Sequence, residues 1–523
     1  MEQQAKMSTF QTWAARQPDK PVLIEAETGS AVTASALEQR VQRITLWLVS
    51  QGLQGGDTIA LVLENRLEVI ELALAARRAG LYYTAVSTHL TPSEVAYILR
   101  DCDARLVFVS SRTQGLLSAL EGQSDMARLS VDPDVPGCTD LRSVLEAVAP
   151  TGALPPRPIG RDLLYSSGTT GRPKGVRRAL IAYEDRDKPD PEVLGWQKAF
   201  GFDEHTIYLS PAPLYHAAPL RYVIRTLLMG GTCVVMSKFD PALALALIER
   251  YRITHSQWVP TMFSRLLQLP PEVRHRHDLR SLRMAIHAAA PCPVAVKQAM
   301  LDWWGDVIYE YYAGSEAAGT TFIAPQEWRT HPGSVGRALS GQVHILDDEG
   351  QTLPAGQVGR IYFSGVANFE YLNDPEKTRE AYNERGWATY GDIGHLDSDG
   401  YLYLSDRRAD LILSGGVNVY PQEIENVLAE HPAVQDVAVV GVPDADLGEV
   451  PKAVVCLHPG HVPDADLAAK LMAFCADRLA RLKWPRTVVF EAELPRLETG
   501  KLLRRVLKER FRDTPLAGYS AQR

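Results

Sequence analysis

Cysteine and long apolar runs are both scarce in this 523-residue sequence. None of its six cysteines is spaced from another as C-x-x-C, so neither a disulfide framework nor a structural zinc site is predicted. Apolar stretches are interrupted by charges, as in Leu72–Arg78, and none reaches the ~20 residues that cross a bilayer. The first ten residues contain no apolar core of a secretory signal. We therefore expect a cytoplasmic protein without an integral membrane segment.

An excess of positive charge is missing as well. Lys and Arg number 55 against 63 Asp and Glu, which gives a net charge of −8. Nucleic-acid-binding proteins favour basic surfaces, so a dominant nucleic-acid role is excluded. Apolar residues make up 46% and charged residues 23%, the mix of an ordinary globular protein. No internal repeat or low-complexity segment occurs, and the length suffices for several domains.

Two common phosphate-binding fingerprints are absent, although a glycine-rich segment is present. Tyr165–Val176 places three glycines, four hydroxyl side chains of Ser and Thr, and two cations within twelve residues. Lys174 lies between Pro173 and Gly175, so the Gly-Lys-[Ser/Thr] of a P-loop does not occur, and G-x-G-x-x-G is missing too. Glycines let backbone N–H groups approach a phosphate, hydroxyls donate to it, and Lys174 adds positive charge. Because it follows an apolar run, Asp162–Tyr165, predicted as a strand, the segment indicates a phosphate-binding loop rather than a polar surface loop.

Short apolar strands alternate with amphipathic helices through the first four hundred residues. Such alternation predicts an α/β fold of parallel sheets covered by helices. The clearest elements are strands at 58–63, 105–110 and 232–236 and helices at 68–79 and 241–251. Between Gln342 and Gly365, short strands separated by turns of the Asp-Gly type predict an antiparallel sheet or barrel.

The composition changes after about Leu404. The remaining chain contains a predicted helix at 422–430, a predicted strand at 434–442 and a basic tail at 504–510. We therefore expect two domains, residues 1–405 and residues 406–523.

The segment Ser166–Gly175 resembles the signature loop of the adenylate-forming superfamily, whose pattern is roughly [ST]-[SG]-G-[ST]-T-G-x-P-K-G. This superfamily includes acyl-CoA synthetases, adenylation domains of nonribosomal peptide synthetases and beetle luciferases. The resemblance implies a large N-terminal domain of αβαβα layers with a small barrel-like β subdomain, followed by a mobile α+β lid. It also implies that the nucleotide is bound by Ser166, Ser167, Gly168, Thr169, Thr170 and Lys174.

The segment Tyr309–Glu316 is similar to the Y-G-x-T-E motif of this superfamily. The resemblance implies that Tyr312 stacks on adenine, that the Ser315 hydroxyl donates to the α-phosphate, and that the Glu316 carboxylate holds Mg²⁺. Ala313 stands where the superfamily has glycine, and Ser315 stands where it has threonine. Both replacements are small and keep the chemistry.

Three further segments resemble the superfamily's nucleotide-binding motifs. The small residues Ala289 and Ala290 would let the purine lie flat against the backbone. Asp392 and Arg407 match the carboxylate and the guanidinium that contact the ribose hydroxyls. Two departures accompany them, because Tyr390 replaces a common threonine and Ala409 replaces the lysine or aspartate associated with the hinge between the domains.

The resemblance also implies residues for the chemical steps. Lys501, in the intact Thr-Gly-Lys of residues 499–501, would bridge the attacking carboxylate and the α-phosphate. Residues implied to border the acyl and CoA channel are Tyr215, His216, Ala217, Gly314, Gly415 and Gly416. For His216, a role as a pocket wall is favoured over a catalytic role.

The implied reaction has two steps. A carboxylate attacks the α-phosphate of ATP to give acyl-AMP and pyrophosphate, and the CoA thiol then displaces AMP. The expected enzyme is an AMP-forming acyl-CoA synthetase, a ligase that forms carbon–sulfur bonds. ATP, Mg²⁺ and CoA are its expected cofactors.

Three other functions stay open at this point. The accepting thiol could belong to the phosphopantetheine of a separate carrier protein, the enzyme could oxidise an adenylate as luciferases do, or the chain could bind nucleotide without catalysis. The intact Lys501 and Glu316 argue against the last alternative.

The carboxylic acid is not specified by any motif. Trp258, Trp303, Trp304 and several alanines are expected near the pocket walls, and the segment 176–202 is unusually long. Apolar pockets favour apolar ligands, so a medium- or long-chain fatty acid or a bulky ring-containing acid is expected. The expected partners are small molecules: the carboxylic acid, ATP and CoA. The oligomeric state, a homodimer included, is left open by the sequence.

Overall fold

The computed structural model describes most of the chain, and every structural statement below refers to these residues. The described ranges are 9–120, 126–148, 152–166, 173–186, 188, 191–407, 410–414, 417–444, 447–476, 478–496, 502–515 and 517–520. Within them, only the backbone is described at positions 166, 191, 192, 406, 407 and 418.

Two sheets of mainly parallel strands form the large N-terminal part, as the strand–helix alternation predicts. The smaller of them, here the six-stranded sheet, is parallel throughout and has the order Thr139–Asp140, Ala127–Ser130, Ala104–Val109, Thr58–Val62, Tyr82–Ala85, Arg161–Asp162. The nine-stranded sheet has the order Arg337–Ser340, Thr320–Ile323, Ile308–Tyr312, Met284–His287, His255–Trp258, Ile207–Ser210, Thr232–Val235, Pro21–Glu25, Ala31–Thr33. Its strands from Ile308–Tyr312 to Pro21–Glu25 in this order are parallel.

Helices cover both sheets and fill the space between them, which gives αβαβα layers. Between the sheets lie Ala34–Ser50, Leu67–Ala79 and Ala217–Leu228. The nine-stranded sheet is covered on its other face by Pro241–Tyr251, Pro260–Leu267 and Val294–Trp304. The six-stranded sheet is covered by Pro92–Asp101 and the 3₁₀ helix Gln114–Leu120. Shorter helices of this part are Phe10–Arg16, Leu141–Glu146, Tyr183–Asp185 (3₁₀), Pro191–Phe200, Pro271–Arg274, Pro325–Thr330 and Pro375–Glu380.

Two smaller antiparallel sheets follow the predicted change of pattern. A four-stranded sheet contains Gln342–Leu346, Gly359–Ser364, Asp392–Leu396 and Leu402–Arg407. A three-stranded sheet contains Glu370–Tyr371, Lys174–Arg177 and Leu164–Ser166. The three-stranded sheet contains the two strands that flank the glycine-rich segment.

The C-terminal part is a smaller α+β unit. Its sheet contains Ile412–Ser414, Val417–Val419, Val434–Asp444, Gly448–Leu457, Thr487–Phe490 and Tyr519–Ser520. Its helices are Pro421–Ala429, Ala465–Ala476, the 3₁₀ helix Arg481–Lys483 and Arg504–Phe511. The strand Leu402–Arg407 runs through position 405, where the sequence predicts a domain boundary, and the division into 1–405 and 406–523 stays a prediction.

Most predicted elements are present with ends moved by one or two residues, and local chemistry explains where they begin. The helix predicted at 422–430 begins at Pro421, whose fixed φ suits the first helical turn. The helix Pro241–Tyr251 has the predicted bounds, and the Leu243 N–H donates to the Asp240 carboxylate at its start over 2.7 Å.

One predicted strand is wrong in an informative way. Residues 162–165 do not form a single strand, because the chain leaves the six-stranded sheet after Asp162 and joins the three-stranded sheet at Leu164. The glycine-rich segment therefore starts next to the junction of two sheets. Within the described ranges, no helix combines the length and the apolar character needed to cross a bilayer.

Candidate active site

A cleft of about 1920 Å³ lies between the parallel sheets, the four-stranded sheet and the C-terminal unit. Most described side chains that the sequence assigns to the site line it. They are Lys174, Tyr215, His216, Ala217, Ala289, Ala290, Tyr312, Gly314, Ser315, Glu316 and Asp392. The predicted residues Ser167, Gly168, Thr169, Thr170, Gly415, Gly416 and Lys501 lie outside the described residues, and only the backbone is described for Ser166 and Arg407. The roles given to all these residues stay predictions.

The ends of the glycine-rich segment are held together by antiparallel pairing. Lys174 pairs with Ser166, and Gly175 pairs with Tyr165. A Cβ at Gly175 would lie 3.0 Å from the Tyr165 ring, so the absence of a side chain lets the two strands pair closely. The Tyr165 hydroxyl in turn donates to the Asp101 carboxylate over 2.6 Å. Both strand ends at the neck of the predicted phosphate-binding loop are thereby fixed.

The Lys174 ammonium faces the cleft in a partly desolvated position. Its Nζ lies 5.7 Å from the centre of the Tyr371 ring. Burial and the neighbouring Lys377 ammonium lower its pKa, while the carboxylates of Asp374 and Glu380 oppose this effect. A bound phosphate would supply the negative charge that favours the protonated form of Lys174.

Glu316 is held at the edge of the cleft by a tyrosine from the three-stranded sheet. The Tyr371 hydroxyl donates to Glu316 Oε1 over 2.9 Å. Ala317, the next residue, has a φ of 55°, a left-handed conformation that is uncommon for a residue with a Cβ. The backbone turns sharply after Glu316 and leaves the carboxylate on the cleft wall.

The predicted adenine and ribose residues are in direct contact with each other. The Tyr312 hydroxyl donates to Asp392 Oδ2 over 2.5 Å, and the Tyr312 and Tyr390 rings meet edge to face at 5.6 Å. Tyr390, which replaces a threonine, donates its buried hydroxyl to the Gly319 carbonyl over 2.8 Å. Burial raises the pKa of Tyr390 well above its ordinary range. The Tyr390 ring packs against the Tyr312 ring, and its hydroxyl is bonded to the Gly319 carbonyl.

Gly314 has no room for a side chain, and this leads to a prediction. A Cβ there would lie 2.4 Å from Glu316 Oε2 and 2.4 Å from a carbon of the Tyr390 ring. We expect Gly314→Ala to displace the Glu316 carboxylate and to slow ATP-dependent pyrophosphate release on the order of 10–100-fold, since ~1 Å of misplacement can cost ~10²-fold. The control is Gly115→Ala, because nothing lies within 4 Å of a Cβ there. An unchanged rate in Gly314→Ala would show that Glu316 tolerates the displacement.

A buried charged cluster lies under the predicted adenine-binding backbone, and the sequence analysis missed it. Lys297 donates to Glu310 Oε2 over 2.5 Å, and His287 Nε2 lies 3.4 Å from the same oxygen. Burial and the Lys297 ammonium keep the pKa of His287 well below its ordinary value, so the imidazole is neutral. Ala289, two residues after His287, has a φ of 76°. The cluster anchors the strand from which this strained turn leaves the sheet.

A second charged group missed by the sequence analysis joins the sheet junction to the Ser315 backbone. Arg221 donates to Asp162 Oδ2 over 2.6 Å and to the Ser315 carbonyl over 3.0 Å. Burial would raise the pKa of Asp162, but Arg221 and Arg178 reverse this and hold it well below the usual range. Arg221 therefore fixes the position of Ser315. The sequence contains no local signal for this pair, because 59 residues separate its members.

On the side of Tyr215, His216 and Ala217, the cleft is lined by residues from two helices and a strand. This part of the cleft, here called the acyl branch after the role proposed for it below, is bordered by Pro191–Phe200, Ala217–Leu228 and Ile308–Tyr312. Its walls include further residues that the sequence analysis missed, namely Trp196, Phe200, Tyr222, Arg225 and Tyr311.

The expectation that Trp258, Trp303 and Trp304 border the pocket is wrong. They pack with Phe263 on the opposite side of the nine-stranded sheet, as in the edge-to-face contact of Trp258 and Trp304 at 5.4 Å. Trp196 lines the cleft instead, and it belongs to the long segment 176–202. Whether a tryptophan borders the cleft depends on which face of the nine-stranded sheet its helix or strand presents it to. Amino-acid composition does not contain this information.

The charged side chains of the cleft fit Mg²⁺ only together with a nucleotide. Within the described ranges, no group of three or more His, Cys, Asp or Glu side chains could hold a metal ion. Glu316 is one carboxylate at the edge of the cleft, close to Ser315. Mg²⁺ is usually held by one or two carboxylates, several waters and substrate phosphates, so a single carboxylate fits this ion.

The chain matches a known family over most of its length. The model of a family described as AMP-binding enzyme matches residues 10–371, and that of the AMP-binding enzyme C-terminal domain matches residues 423–501. A long-chain-fatty-acid–CoA ligase of Mycobacterium tuberculosis is 30% identical over 512 residues, covering 96% of this chain and 98% of that protein. A feruloyl-CoA synthase of an Amycolatopsis species is 34% identical over 492 residues, covering 92% of this chain and 94% of that protein.

Solved structures of similar architecture include enzymes bound to nucleotide. ATP-bound MatB from Rhodopseudomonas palustris superposes with a TM-score of 0.83 at 29% identity, covering 97% of this chain and 99% of that chain. The o-succinylbenzoate CoA synthetase of Bacillus subtilis, in complex with its acyl-adenylate, gives a TM-score of 0.79 at 26% identity, covering 95% and 97%. Both solved structures have a large N-terminal part and a small C-terminal part, as described above for this chain.

Proposed function

Because the chain belongs to the AMP-binding enzyme family, we propose that it is an ATP-dependent acid–thiol ligase that makes an acyl-CoA. The observation that carries the proposal is one cleft in which Lys174, Glu316 and Asp392 lie beside an aromatic-lined branch. Relatives matched over nearly their whole length are named as CoA ligases. The first step joins a carboxylate oxygen to the α-phosphorus of ATP and releases pyrophosphate. The second joins the acyl carbon to the CoA sulfur and releases AMP.

Nucleotide binding is assigned to the wall between the sheets. The adenine lies between the Tyr312 ring and the backbone of Ala289 and Ala290. The ribose hydroxyls donate to Asp392 and accept from Arg407. In the described conformation the Tyr312 hydroxyl donates to Asp392, so the nucleotide has to share or replace that hydrogen bond.

Stabilisation of the phosphates is assigned to the glycine-rich loop and to Ser315. Ser166, Ser167, Thr169 and Thr170 donate hydroxyls, and Gly168 allows close backbone approach; Lys174 adds positive charge. Ser315 donates to the α-phosphate from a position fixed by Arg221 through the Ser315 carbonyl. Mg²⁺, held by Glu316 and the phosphates, would neutralise charge on the phosphate oxygens.

The second step is assigned to a rearranged C-terminal domain. Residues 406–523 would present Lys501 during adenylation and then Gly415 and Gly416 beside the thiol channel, which Gly314 and His216 border. Such a change requires backbone freedom near the boundary at 405–406, where Ala409 departs from the superfamily pattern. The protein is expected to act in the cytoplasm.

The substrate is proposed from the walls of the acyl branch. Trp196, Phe200, Tyr222 and Tyr311 form one aromatic cluster, with Trp196 and Tyr222 in edge-to-face contact at 4.0 Å. Such walls suit an apolar acyl group, either a medium- or long-chain fatty acid or a ring-containing acid. The named acids of the relatives range from long-chain fatty acids to ferulic and succinylbenzoic acid, so they do not select one substrate.

We expect Ala217→Trp to shift acid preference towards smaller acids. Ala217 lies at the start of the acyl branch, where an indole would occupy space used by the acyl group. One methylene in an apolar pocket contributes only ~1–3 kcal/mol, so selectivity between neighbouring chain lengths of the unmodified enzyme should be shallow. The measurement is kcat/KM for pyrophosphate release with a series of acids, together with the Kd of ATP. A changed ATP affinity with an unchanged acid profile would contradict this placement of the branch.

The proposed function is tested by AMP formation with ATP, a panel of acids and either CoA, a carrier-protein phosphopantetheine or no thiol. AMP and acyl-CoA that depend on both acid and CoA are expected. AMP formation that requires a carrier protein would make the chain an adenylating partner of that protein. ATP binding without pyrophosphate release for any acid would make it a nucleotide-binding protein and would overturn the proposal.

A further inference from the structure

We propose, on the basis of the proposed function, that the acyl branch selects acids whose acyl group carries a hydrogen-bond donor, either a hydroxyl or an N–H. The recognising atom is the side-chain carbonyl oxygen of Gln257, Oε1. The substrate class is then a ring-containing or medium-chain acid with a hydroxyl or amino group remote from the carboxylate that becomes activated. A plain hydrocarbon tail would leave Gln257 Oε1 without a donor.

The strand His255–Trp258 places Gln257 on the wall of the acyl branch. Gln257 pairs in parallel register with Ile286, and Ile286 pairs with Tyr309, so these three side chains share one face of the nine-stranded sheet. Tyr311, two residues after Tyr309, lies on the same face because side chains alternate along a strand. This face is the one covered by the core between the two parallel sheets. Gln257 also lines the cleft, and it therefore faces the acyl branch.

The orientation of the Gln257 amide is determined by a neighbouring carbonyl. Gln257 Nε2 donates to the Trp258 carbonyl over 2.9 Å, and the Ala288 N–H donates to the same carbonyl over 3.4 Å. The reverse orientation of the amide would bring two acceptor oxygens together. Nε2 is therefore occupied by the backbone, and Oε1 is the atom that can meet a ligand.

Gln257 Oε1 is a buried acceptor without a donor. The side chain is 1% exposed, and Oε1 makes no hydrogen bond with any described residue. A buried carbonyl oxygen that lacks a donor costs free energy, because it has lost its hydrogen bonds to water. A hydroxyl or an N–H of the acyl group would remove this cost on binding.

The side chains next to Gln257 do not supply that donor. Leu209 pairs with Ser256, so Ser210 stands beside Gln257 on the neighbouring strand. Ser210 is fully buried, yet its hydroxyl makes no hydrogen bond with Gln257. The cleft-lining residues that follow these strands have no donor in their side chains, namely Ala212, Val259 and Ala288.

The rest of the acyl branch is mostly aromatic. Trp196, Phe200, Tyr222 and Tyr311 line it together with Gln257. In ligand pockets with mainly apolar walls, a few polar groups fix the orientation of the ligand and provide specificity. The carboxyl ends of parallel strands, where Gln257 lies, are also the usual place for ligands in open α/β sheets. One amide acceptor among aromatic rings fits a ring or chain with one donor group.

The experiment compares acids that differ only in the donor group. The full chain is assayed for pyrophosphate release with 3-phenylpropanoate and its hydroxyphenyl, methoxyphenyl and aminophenyl analogues, substituted at each ring position, and with octanoate and 8-hydroxyoctanoate. We expect at least one hydroxyl- or amino-bearing acid to exceed both its unsubstituted and its methoxy counterpart in kcat/KM by ~10–100-fold, the range expected when a buried acceptor is left unsatisfied. The methoxy acids have the oxygen but no hydrogen to donate. Preference for the hydroxyl or for the amino compound identifies which donor is recognised.

Variants assign this preference to Gln257. Gln257→Met has a similar volume but no acceptor oxygen, so it should reduce the preference for the donor-bearing acid to about twofold or less. Gln257→Glu keeps an acceptor oxygen whether or not its carboxyl group is ionised, so it should retain most of the preference. The matched control is Gln298→Met, because the Gln298 amide donates to Asp302 over 2.8 Å and does not line the cleft. Thermal unfolding of each variant checks that it folds.

The possible outcomes are distinguishable. Equal use of donor-bearing and unsubstituted acids in both series would overturn the inference and leave the proposed function intact, as expected if a water satisfies Oε1. Equal use of hydroxy and methoxy acids would also overturn it, because size and not donation would then be selected. A raised KM for ATP in Gln257→Met with an unchanged preference would assign Gln257 to the support of the turn after Trp258 and would overturn it too. No pyrophosphate release with any carboxylic acid would contradict the proposed function itself.

Discussion

Replacement of Lys501 by alanine is expected to slow pyrophosphate release from ATP and acid by ~10²–10³-fold, the loss typical of removing one charge-stabilising group. The lysine is proposed to bridge the attacking carboxylate and the α-phosphate while negative charge builds up between them. Formation of the thioester from supplied acyl-AMP should largely survive, because that step no longer forms a bond to phosphorus.

The residues around Lys501 support this placement, although Lys501 itself lies outside the described residues. Arg496 and Leu502 pair as an antiparallel bridge, and the Leu503 N–H donates to the Pro495 carbonyl over 2.8 Å. Arg496, Leu502 and Leu503 line the cleft. The described residues that flank this segment, 495–496 and 502–503, are thereby paired with each other at the cleft wall.

The two half-reactions are measured separately for Lys501→Ala. Lys470→Ala is the control, because Lys470 belongs to the same domain and pairs with Asp466 on an exposed helix at 2.7 Å. Its rates should match those of the unmodified enzyme. A similar loss in both half-reactions of Lys501→Ala would refute the hypothesis that Lys501 acts only in adenylation. It would indicate a role in both steps or misfolding.

The second large effect is expected for Glu316→Gln. A metal ion on a phosphate contributes several kcal/mol, so loss of its carboxylate ligand should slow pyrophosphate release by about 100-fold or more. The amide keeps the shape and can still accept from the Tyr371 hydroxyl through its carbonyl oxygen. High Mg²⁺ should restore part of the rate, because a weakened site fills at higher metal concentration.

Tyr371→Phe distinguishes the effect of the proposed metal ligand, Glu316, from the effect of the hydrogen bond that positions it. This change removes the 2.9 Å hydrogen bond to Glu316 and leaves the carboxylate in place. One hydrogen bond to a charged group contributes ~1.5–3 kcal/mol, so a loss of ~10–100-fold is expected. Unlike the loss in Glu316→Gln, it should not depend strongly on Mg²⁺. If Glu316→Gln is fully active at ordinary Mg²⁺ with unchanged ATP affinity, Glu316 is structural and its assignment is wrong.

Much of the fold was predictable because it depends on local pattern. The strand at Thr58–Val62 and the helix at Pro241–Tyr251 follow from apolar periodicity and from an Asp-Pro start. The sheet junction at Leu163 was not predictable, since one continuous apolar run serves two sheets. The residue types at 162–165 do not indicate where the chain stops pairing with one sheet and starts pairing with the next.

Residues that line the cleft were predictable where they occur close together in the sequence. Glycines, hydroxyls and Lys174 occur within one loop, and Tyr312, Ser315 and Glu316 lie within five residues. The charged cluster at His287, Lys297 and Glu310 was missed. Single charges spread over two dozen residues are indistinguishable from solvated surface charges until the helix packs on the strand.

The family and the reaction class thus follow from the order of short motifs, because phosphate chemistry needs several donors close together on one loop. The identity of the pocket walls depended on packing. Trp196, Tyr222 and Tyr311 come from two helices and a strand far apart in the chain, and they meet only after these elements cover the sheet.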